Sequence, residues 1–341
     1  MISQDLLATI VKKIGISPVS TDHVGVFPIT AGGNNQVFLL KINEQKFVVK
    51  RYFTSPTDSR DRLYAERSFF SYSDNAQVTC IPKVLFFDEG HNLGVFQYVD
   101  GRKLKETDID EDAIDQAANF ISTLNEAEAR KRSRGLPSAS EACFCIEDHF
   151  SLVTDRIKRL SSISMNGSLE NDVLRFVSKL HASWEEIKYK IIKDAREIEL
   201  NAEVRIEKRW VSPSDFGFHN AIKTLDNKLY FIDFEYAGWD DPAKLVGDFF
   251  SHPAVRVKYS FFERFTDIIF KDSDDRVELV NRVLLLLPIF KIKWICIVLN
   301  EFLPSAARRR NFADPSAKPS DQKIKQFFKA KRMFDELDCL T

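Results

Sequence analysis

Apolar and polar positions alternate in two different ways along the chain. After an amphipathic helical segment at residues 2–14, short apolar runs separated by turn residues predict strands. In this first part the pattern predicts five strands and one main helix: strands at 24–30, 37–42, 46–52, 84–87 and 93–99, and a helix at 58–73. From residue 108 the apolar spacing becomes helical, and predicts helices at 108–132, 146–163, 168–200, 243–252, 256–271, 275–302 and 320–338. We therefore expect an α+β protein with a small lobe at residues 1–100 and a larger, mostly helical lobe at residues 101–341.

A short hairpin interrupts the helical part. Apolar strands are predicted at 221–222 and 229–232, with Asp215 and Asn220 before them and Asp233 after them. Pairing of the two strands would bring the three polar side chains to one edge. A carboxylate that accepts a proton, beside an amide oxygen and a second carboxylate that suit a hard divalent cation, favours Mg²⁺-assisted phosphoryl transfer. Asp and Asn also occupy turns because they bond to nearby backbone groups, and this alternative stays open for each of them.

Three features of the first lobe have both a functional and a structural interpretation. Gly32 and Gly33 between two strands allow backbone N–H groups to approach phosphates, although hairpins with two glycines are common without a ligand. Lys50 is the one ammonium group in the run Phe47-Val48-Val49-Lys50, and it either neutralises phosphate or faces water at a sheet edge. Glu66 in the following helix either holds that lysine or pairs with an arginine of its own helix.

The composition is that of a globular chain without a dominant charge. The 341 residues are 44% hydrophobic with 29 phenylalanines, and 49 basic residues balance 50 acidic ones, so no nucleic-acid or membrane partner is expected. The apolar run 283–299 contains Pro288, Lys291 and Lys293, which indicates a helix of a core or a dimer interface rather than a membrane span. No secretory signal pattern is visible, and five cysteines without zinc-like spacing are expected to be reduced thiols in the cytoplasm.

The order of these features resembles a known family. The shared elements are the glycine hairpin at 31–38, Lys50, Glu66, a hinge at 96–101, D-x4-N at 215–220, I-D-F at 232–234 and G-W-D-D-P-A at 238–243. This order is similar to the aminoglycoside phosphotransferase and choline kinase-like branch of the protein-kinase-like fold. The resemblance implies a five-stranded antiparallel N-lobe, a helical C-lobe with a catalytic hairpin, and an ATP- and Mg²⁺-dependent kinase that acts on a small-molecule hydroxyl acceptor.

The resemblance also implies a role for each matching residue of the nucleotide half. Asp215 looks like the catalytic base, Asn220 and Asp233 look like Mg²⁺ ligands, and Lys50 looks like the phosphate ligand with Glu66 as its ion-pair partner. The remaining nucleotide-binding candidates act through the backbone: Gln97 and Val99 at the adenine edge, and Gly32, Gly33, Asn34 and Asn35 over the phosphates.

For the acceptor, the resemblance implies a site between the catalytic loop and the C-terminal helices. Its candidate lining residues follow the I-D-F segment: Glu235, Tyr236, Trp239 and Asp240. Carboxylates and aromatic rings would suit a cationic acceptor, so an amino-sugar, a sugar or an amino-alcohol is expected. Asp241 is expected instead to cap the helix that follows Pro242.

The catalytic loop departs from the family pattern in one place. Relatives usually have His-Gly or His-Arg before the loop aspartate, whereas this chain has Pro213-Ser214, and its histidine, His219, lies beside Asn220. His219 could brace the loop or touch the substrate, but by default we treat it as a loop histidine without a catalytic role. The altered loop keeps a second hypothesis open, a catalytically silent nucleotide-binding protein. A protein kinase is disfavoured because no segment of activation-loop length separates Asp233 from Pro242.

Overall fold

The computed structural model describes residues 2–17, 23–29, 34–56, 58–133, 135–165, 167–195, 200, 202–313 and 319–337. Gly32 and Gly33 of the expected phosphate-covering turn lie outside the described residues, as does Cys339. The other four cysteines are free thiols.

A five-stranded antiparallel sheet forms the N-terminal part, as predicted. Its strands are β1 (Val24–Pro28), β2 (Gln36–Ile42), β3 (Gln45–Arg51), β4 (Val84–Asp88) and β5 (Leu93–Gln97). They are arranged in the order β1-β2-β3-β5-β4. Lys50 of β3 is paired with Val37 on one side and with Gly94 on the other, so its strand is internal to the sheet. The alternative of an edge-strand lysine is therefore wrong.

The two faces of β3 have different partners because side chains alternate along a strand. Phe47 and Val49 belong to a small core cluster that includes Ile10 of α1 (Gln4–Ile14). Val48 packs against the larger core cluster, and Lys50 of the same face meets α2 (Arg62–Asn75) through Glu66. The alternation thus places the ammonium group of Lys50 on the inner face, next to the rest of the chain.

Helices dominate the remainder. They are α3 (Glu111–Leu124), α4 (Ala127–Lys131), α5 (Ile146–Leu160), α6 (Ser168–Asp194), α7 (Pro242–Ser251), α8 (Phe262–Ile269), α9 (Arg276–Leu299), α10 (Pro304–Ala313) and α11 (Pro319–Asp335). The short strands among them are β6 (Arg102–Lys103), β7 (Trp210–Ser212), β8 (Ala221–Lys223), β9 (Leu229–Phe231) and β10 (Gly238–Asp240). The sheet β6-β8-β9 contains the predicted hairpin, and β7 pairs with β10.

The most apolar helix, α9, is the centre of the helical part. Residues 276–302 are long and apolar enough to cross a membrane by length and composition. An 18-residue window within them has a mean hydropathy of 2.0, but 67% of that window is buried inside the protein. Its Phe290 packs so closely on α7 that a Cβ at Gly247 would lie 2.0 Å from the ring. This contact fixes α7, and with it His252 just after the helix, against the catalytic loop.

The structure differs from the predicted helices in three main places, and β6, β7 and β10 were not predicted. The expected helix 108–132 breaks at Asn125, whose side chain leaves the helix to donate to Val211 O and accept from Val211 N. The helix expected to reach residue 200 ends at Asp194. Helix α10 was not predicted, because its polar sequence carries no apolar stripe. The boundary near residue 100 remains a prediction, since the larger core cluster includes Phe96.

Candidate active site

The hairpin β8–β9 brings the three predicted polar residues together. Ile232 N donates to Asn220 O (2.9 Å), which joins the end of the second strand to the start of the first. Asp233 then leaves the strand with a φ of 72°, a left-handed conformation that Asp tolerates better than most residues. Asn220 Nδ2 donates to the backbone O of Asp215 (3.0 Å). Hairpin pairing therefore produces the cluster that the spacing predicted.

Lys50 is the hub of a buried ionic network. Its Nζ lies 2.8 Å from Glu66 Oε2, 2.5 Å from Asp233 Oδ1 and 3.5 Å from Glu235 Oε2. Glu66, only 2% exposed, also accepts from Tyr52 Oη (2.6 Å) and from the backbone N of Phe234 (2.9 Å). The carboxylate of Glu66 thus contacts both Lys50 of β3 and Phe234 in the segment after the hairpin.

The network keeps Lys50 charged. Burial alone would lower its pKa, but Asp233, Glu66 and Glu235 outweigh burial and raise the pKa of Lys50 well above its usual value. Three carboxylates around one ammonium leave an excess of negative charge beneath the sheet. A divalent cation beside Asp233 would offset that excess.

Asn220 and Asp233 form a donor set that fits Mg²⁺. Asn220 uses its amide nitrogen on Asp215, which leaves its oxygen as a ligand. Asp233 is 36% exposed at its side chain and engages Lys50 through Oδ1, which leaves Oδ2 for a cation. Carboxylate and amide oxygens are the ligands that Mg²⁺ prefers. Both residues line the same cavity as Lys50.

Two histidines flank Asp215, the candidate base. His219 Nε2 lies 3.3 Å and His252 Nε2 lies 3.5 Å from Asp215 Oδ1. The two imidazole rings are stacked, with centroids 3.7 Å apart and planes 4° from parallel. The contact of His219 with Asp215 fits the bracing role that the sequence left open for this histidine. His252 was missed altogether, because it is distant in sequence and belongs to no motif.

The histidines favour the charged form of Asp215. Burial would raise the pKa of this carboxyl, but His219 and His252 outweigh burial and hold the pKa well below its usual value. Burial and the adjacent His219 lower the pKa of His252 to about 4, so His252 is neutral at neutral pH. Asp215 is therefore ionised and can accept a hydrogen bond from an acceptor hydroxyl.

Serines support the loop where relatives usually carry a histidine. Ser214 adopts a φ of 66°, and its backbone N donates to Ser212 Oγ (3.0 Å). Asp215 N donates to Pro213 O (2.9 Å), which makes a tight turn immediately before the carboxylate. Backbone and hydroxyl hydrogen bonds thus hold the altered Pro213-Ser214 pair in place.

A cavity of about 230 Å³ beneath the sheet contains the nucleotide-binding candidates that are described. Its wall includes both apolar and ionic groups: Asn34, Asn35, Val48, Lys50, Phe96, Gln97, Val99, Ile222 and Asp233. Gln97 N already donates to Lys83 O (2.8 Å), so Gln97 would meet an adenine through its carbonyl. An apolar slot next to Lys50 suits a flat heterocycle that continues into phosphates.

The four acceptor candidates are placed differently from one another. Tyr236 lines two adjoining cavities beside the catalytic loop. Glu235 is 2% exposed and faces Lys50 and Arg62, so it belongs mainly to the ionic network. Trp239 and Asp240 pair with β7 and line neither cavity.

Asp240 therefore requires a correction. It is fully buried and bonded to Lys244 (2.5 Å) and to the backbone N of Cys143 (3.1 Å), so it holds the fold together rather than facing a ligand. Asp241 caps α7 by accepting from Ala243 N (2.8 Å), which confirms the capping prediction.

The sequence comparison decides the family. The model of the phosphotransferase enzyme family matches residues 26–252, which includes the sheet, Lys50, the hairpin and His252. The chain belongs to the phosphotransferase enzyme family. A comparison of this phosphotransferase with curated proteins finds no match.

Solved structures share the fold of this phosphotransferase at low identity. The choline kinase from Cryptosporidium parvum Iowa II has a TM-score of 0.62 and 13% identity, over 98% of this chain and 97% of that chain. The spectinomycin phosphotransferase in complex with ADP and spectinomycin has a TM-score of 0.60 and 11% identity, over 98% of this chain and 95% of that chain. The choline kinase LicA from Streptococcus pneumoniae has a TM-score of 0.58 and 15% identity, over 96% of this chain and 98% of that chain. The protein-kinase-like two-lobed fold expected from the sequence is confirmed.

Proposed function

We propose that this phosphotransferase moves the γ-phosphate of Mg²⁺-bound ATP to a hydroxyl of a small molecule. The observation that carries the proposal is the convergence of Lys50, Asn220, Asp233 and Asp215 on the hairpin edge, with the first three lining the cavity beneath the sheet. A fold neighbour solved with ADP and spectinomycin supports nucleotide use. Amino-sugars, sugars and amino-alcohols are the acceptor classes that the family resemblance implies.

The residues have separate tasks in this reaction. Lys50 binds phosphate oxygens, and Glu66 holds its ammonium in position. Asn220 and Asp233 would hold Mg²⁺, which would offset the charge of the phosphates. Asp215 accepts a hydrogen bond from the acceptor hydroxyl and orients its oxygen toward the γ-phosphorus. Phosphoryl transfer requires little covalent chemistry from protein groups, so alignment and charge compensation account for most of the catalysis.

The bonds and charges balance without another reactant. The acceptor oxygen forms a bond to the γ-phosphorus, the bond from that phosphorus to the β–γ bridging oxygen breaks, and ADP leaves. The hydroxyl proton passes to Asp215 and from there to solvent. Because the pKa of Asp215 is well below its usual value, proton acceptance follows bond formation at the phosphorus rather than preceding it.

The alternative of a catalytically silent nucleotide-binding protein makes a different prediction. Lys50, Glu66, Asp215, Asn220 and Asp233 are all present. Lys50 contacts Glu66 and Asp233, and Asn220 contacts Asp215, which favours an active enzyme. ADP release should be followed with Mg²⁺, ATP and a panel of amino-sugars, sugars and amino-alcohols, and products should be identified by ³¹P NMR. Phosphorylated product from any acceptor supports the proposal. Nucleotide binding without product from any acceptor would establish the silent alternative.

A further inference from the structure

Two cavities adjoin at the acceptor side of Asp215. The inner cavity, of about 330 Å³, contains Asp215, His219 and His252, and the outer cavity, of about 650 Å³, opens toward α2. Arg60, Arg156 and Arg309 line both cavities, so they lie where the two meet. A small molecule with its hydroxyl at Asp215 would extend past these three arginines.

The carboxylates of the inner cavity are not free to bind a cation. Besides Asp215 they are Glu141, Asp248 and Glu301. Glu141 pairs with Arg156, Asp248 pairs with Lys293 (2.5 Å) and Glu301 pairs with Arg310. A cationic acceptor would have to displace one of these internal partners. Apart from Asp215, the inner cavity therefore offers no unpaired carboxylate to an amino-sugar or amino-alcohol.

The arginines, in contrast, have unused binding capacity. Arg309 forms no ion pair with a carboxylate among the described residues. Arg156 is 6% exposed, and its Nε has no hydrogen-bond partner in the described part of the chain. Arg60 is held by Asp58 through two hydrogen bonds (2.7 and 2.8 Å) and lies over the Tyr236 ring (5.4 Å), which fixes its orientation. A buried donor without a partner costs free energy unless a ligand or water satisfies it.

Neighbouring groups respond to the excess positive charge. Burial would raise the pKa of Glu141, but Arg156, Lys293 and Lys244 outweigh burial and lower the pKa to about 2. Burial, together with Arg60 and Arg62, lowers the pKa of Arg309. Both shifts are those expected for groups in a positive field.

Building on the proposed kinase function, we infer that the acceptor is an anion: a small hydroxyl compound that carries a phosphate or carboxylate group. Arg309 binds that group where the two cavities meet, beside Arg60 and Arg156, while the hydroxyl lies at Asp215. Planar guanidinium groups suit both phosphate and carboxylate, which they can bind through two parallel hydrogen bonds. The inference reverses the expectation of a cationic acceptor.

A matched acceptor panel tests the inference. Glucose 6-phosphate, glucuronate, glucose and glucosamine share one ring and differ in charge, and choline adds the amino-alcohol class. We expect kcat/KM to be highest for an anionic member, and the phosphate and carboxylate arms decide which anionic group is preferred. A higher kcat/KM for glucosamine or choline than for both anionic compounds would overturn the inference and leave the kinase proposal intact.

Arg309→Gln supplies the residue-level test. The variant should raise the KM for the anionic acceptor about tenfold to a hundredfold, as expected for loss of hydrogen bonds to a charged group. Arg309→Lys should recover part of that loss, and Arg175→Gln, a change at an exposed arginine of α6, should leave KM unchanged. If Arg309→Gln instead raises the Kd of Mg²⁺ and a non-hydrolysable ATP analogue and leaves the acceptor KM unchanged, Arg309 serves the nucleotide and the inference is wrong.

Calorimetry separates failure of the inference from failure of the kinase proposal. Each panel compound is titrated into the protein saturated with Mg²⁺ and the ATP analogue. If an anion binds, Arg309→Gln weakens that binding and no compound is phosphorylated, the anion site stands and the kinase proposal is refuted. No binding of either anion would refute the anion site.

Discussion

At the residue scale, two imidazole rings lie close to one carboxylate oxygen of Asp215. His219 and His252 approach it at 3.3 and 3.5 Å, and their stacking leaves little room for either ring to turn. The two histidines support the loop in which Pro213-Ser214 precedes Asp215. The catalytic loop is thus held from its own sequence and from the end of α7.

His252 should make stability depend on pH. Its pKa is lowered from about 6.5 in an unfolded chain to about 4, so the unfolded state binds more protons between these values and stability falls as pH decreases from about 6.5 to 4. The full shift corresponds to about 3 kcal/mol. In His252→Gln, the melting temperature should vary less over this window than in the parent.

Calorimetry at several pH values between 4 and 7 checks this expectation. His181→Gln, on an exposed histidine of α6, should keep the parental pH dependence. Equal slopes for His252→Gln and the parent would show that His252 is not held neutral by the fold.

The sequence could identify some of these residues and not others. Lys50, Glu66, Asp215, Asn220 and Asp233 were recognisable because each lies on a predicted element at the family spacing. The position of His252 depends on how α7 packs. The buried partners of Glu235, among them Lys50 and Arg62, depend on how β3 and α2 meet the segment after the hairpin. No local pattern encodes either packing. The same reason explains why Asp240 was taken for a ligand-binding residue.

At the element scale, the packing of α7 on α9 positions the acceptor side of the site. Lys293 and Trp294 of α9 both contact Asp248 of α7 (2.6 and 3.0 Å). The predicted bounds of α7 and α9 are close to the observed ones because both segments are strongly apolar. Helix α10, which carries Arg309, was not predictable because it is stabilised by contacts with the sheet, such as Gln36 Nε2 donating to Phe312 O (2.9 Å), and not by an apolar stripe.

Gly247→Ala should separate α7 from α9. The added methyl group would lie 2.0 Å from Phe290, a fully buried ring, so the helices must shift at a cost of about 1–3 kcal/mol. We expect a lower melting temperature and a lower kcat, because His252 moves with the end of α7. Gly90→Ala, where the new methyl group meets only Asp88 Oδ1 at 3.4 Å, is the control. A parental melting temperature for Gly247→Ala would contradict the close packing.

At the scale of the whole molecule, hydrogen bonds and ion pairs join the sheet to the hairpin side of the site. Asn34 Nδ2 donates to Tyr236 Oη (3.0 Å), Asn35 donates to Glu235, and Lys50 meets Asp233. Nucleotide and metal would bind between these two parts. Their binding should therefore stabilise both parts together.

The stabilisation should require Mg²⁺. A non-hydrolysable ATP analogue at a hundred times its Kd should add about 2.7 kcal/mol, seen as a rise of several degrees in melting temperature. Removal of the metal with EDTA, or Asp233→Asn, should abolish most of the rise. Asp272→Asn, at an 88% exposed side chain, should preserve it. An equal rise with EDTA would contradict the assignment of Asn220 and Asp233 as metal ligands.

The central claim is that Asp215 acts on the acceptor while Lys50, Asn220 and Asp233 hold the nucleotide. The most direct test is to measure kcat and the Kd for Mg²⁺·ATP in Asp215→Asn, with Asp226→Asn in the turn of the same hairpin as the control. We expect Asp215→Asn to lower kcat by roughly 10²–10⁴-fold and to leave the Kd for Mg²⁺·ATP unchanged. A parental kcat, or a rise in Kd that accounts for the loss of rate, would contradict it.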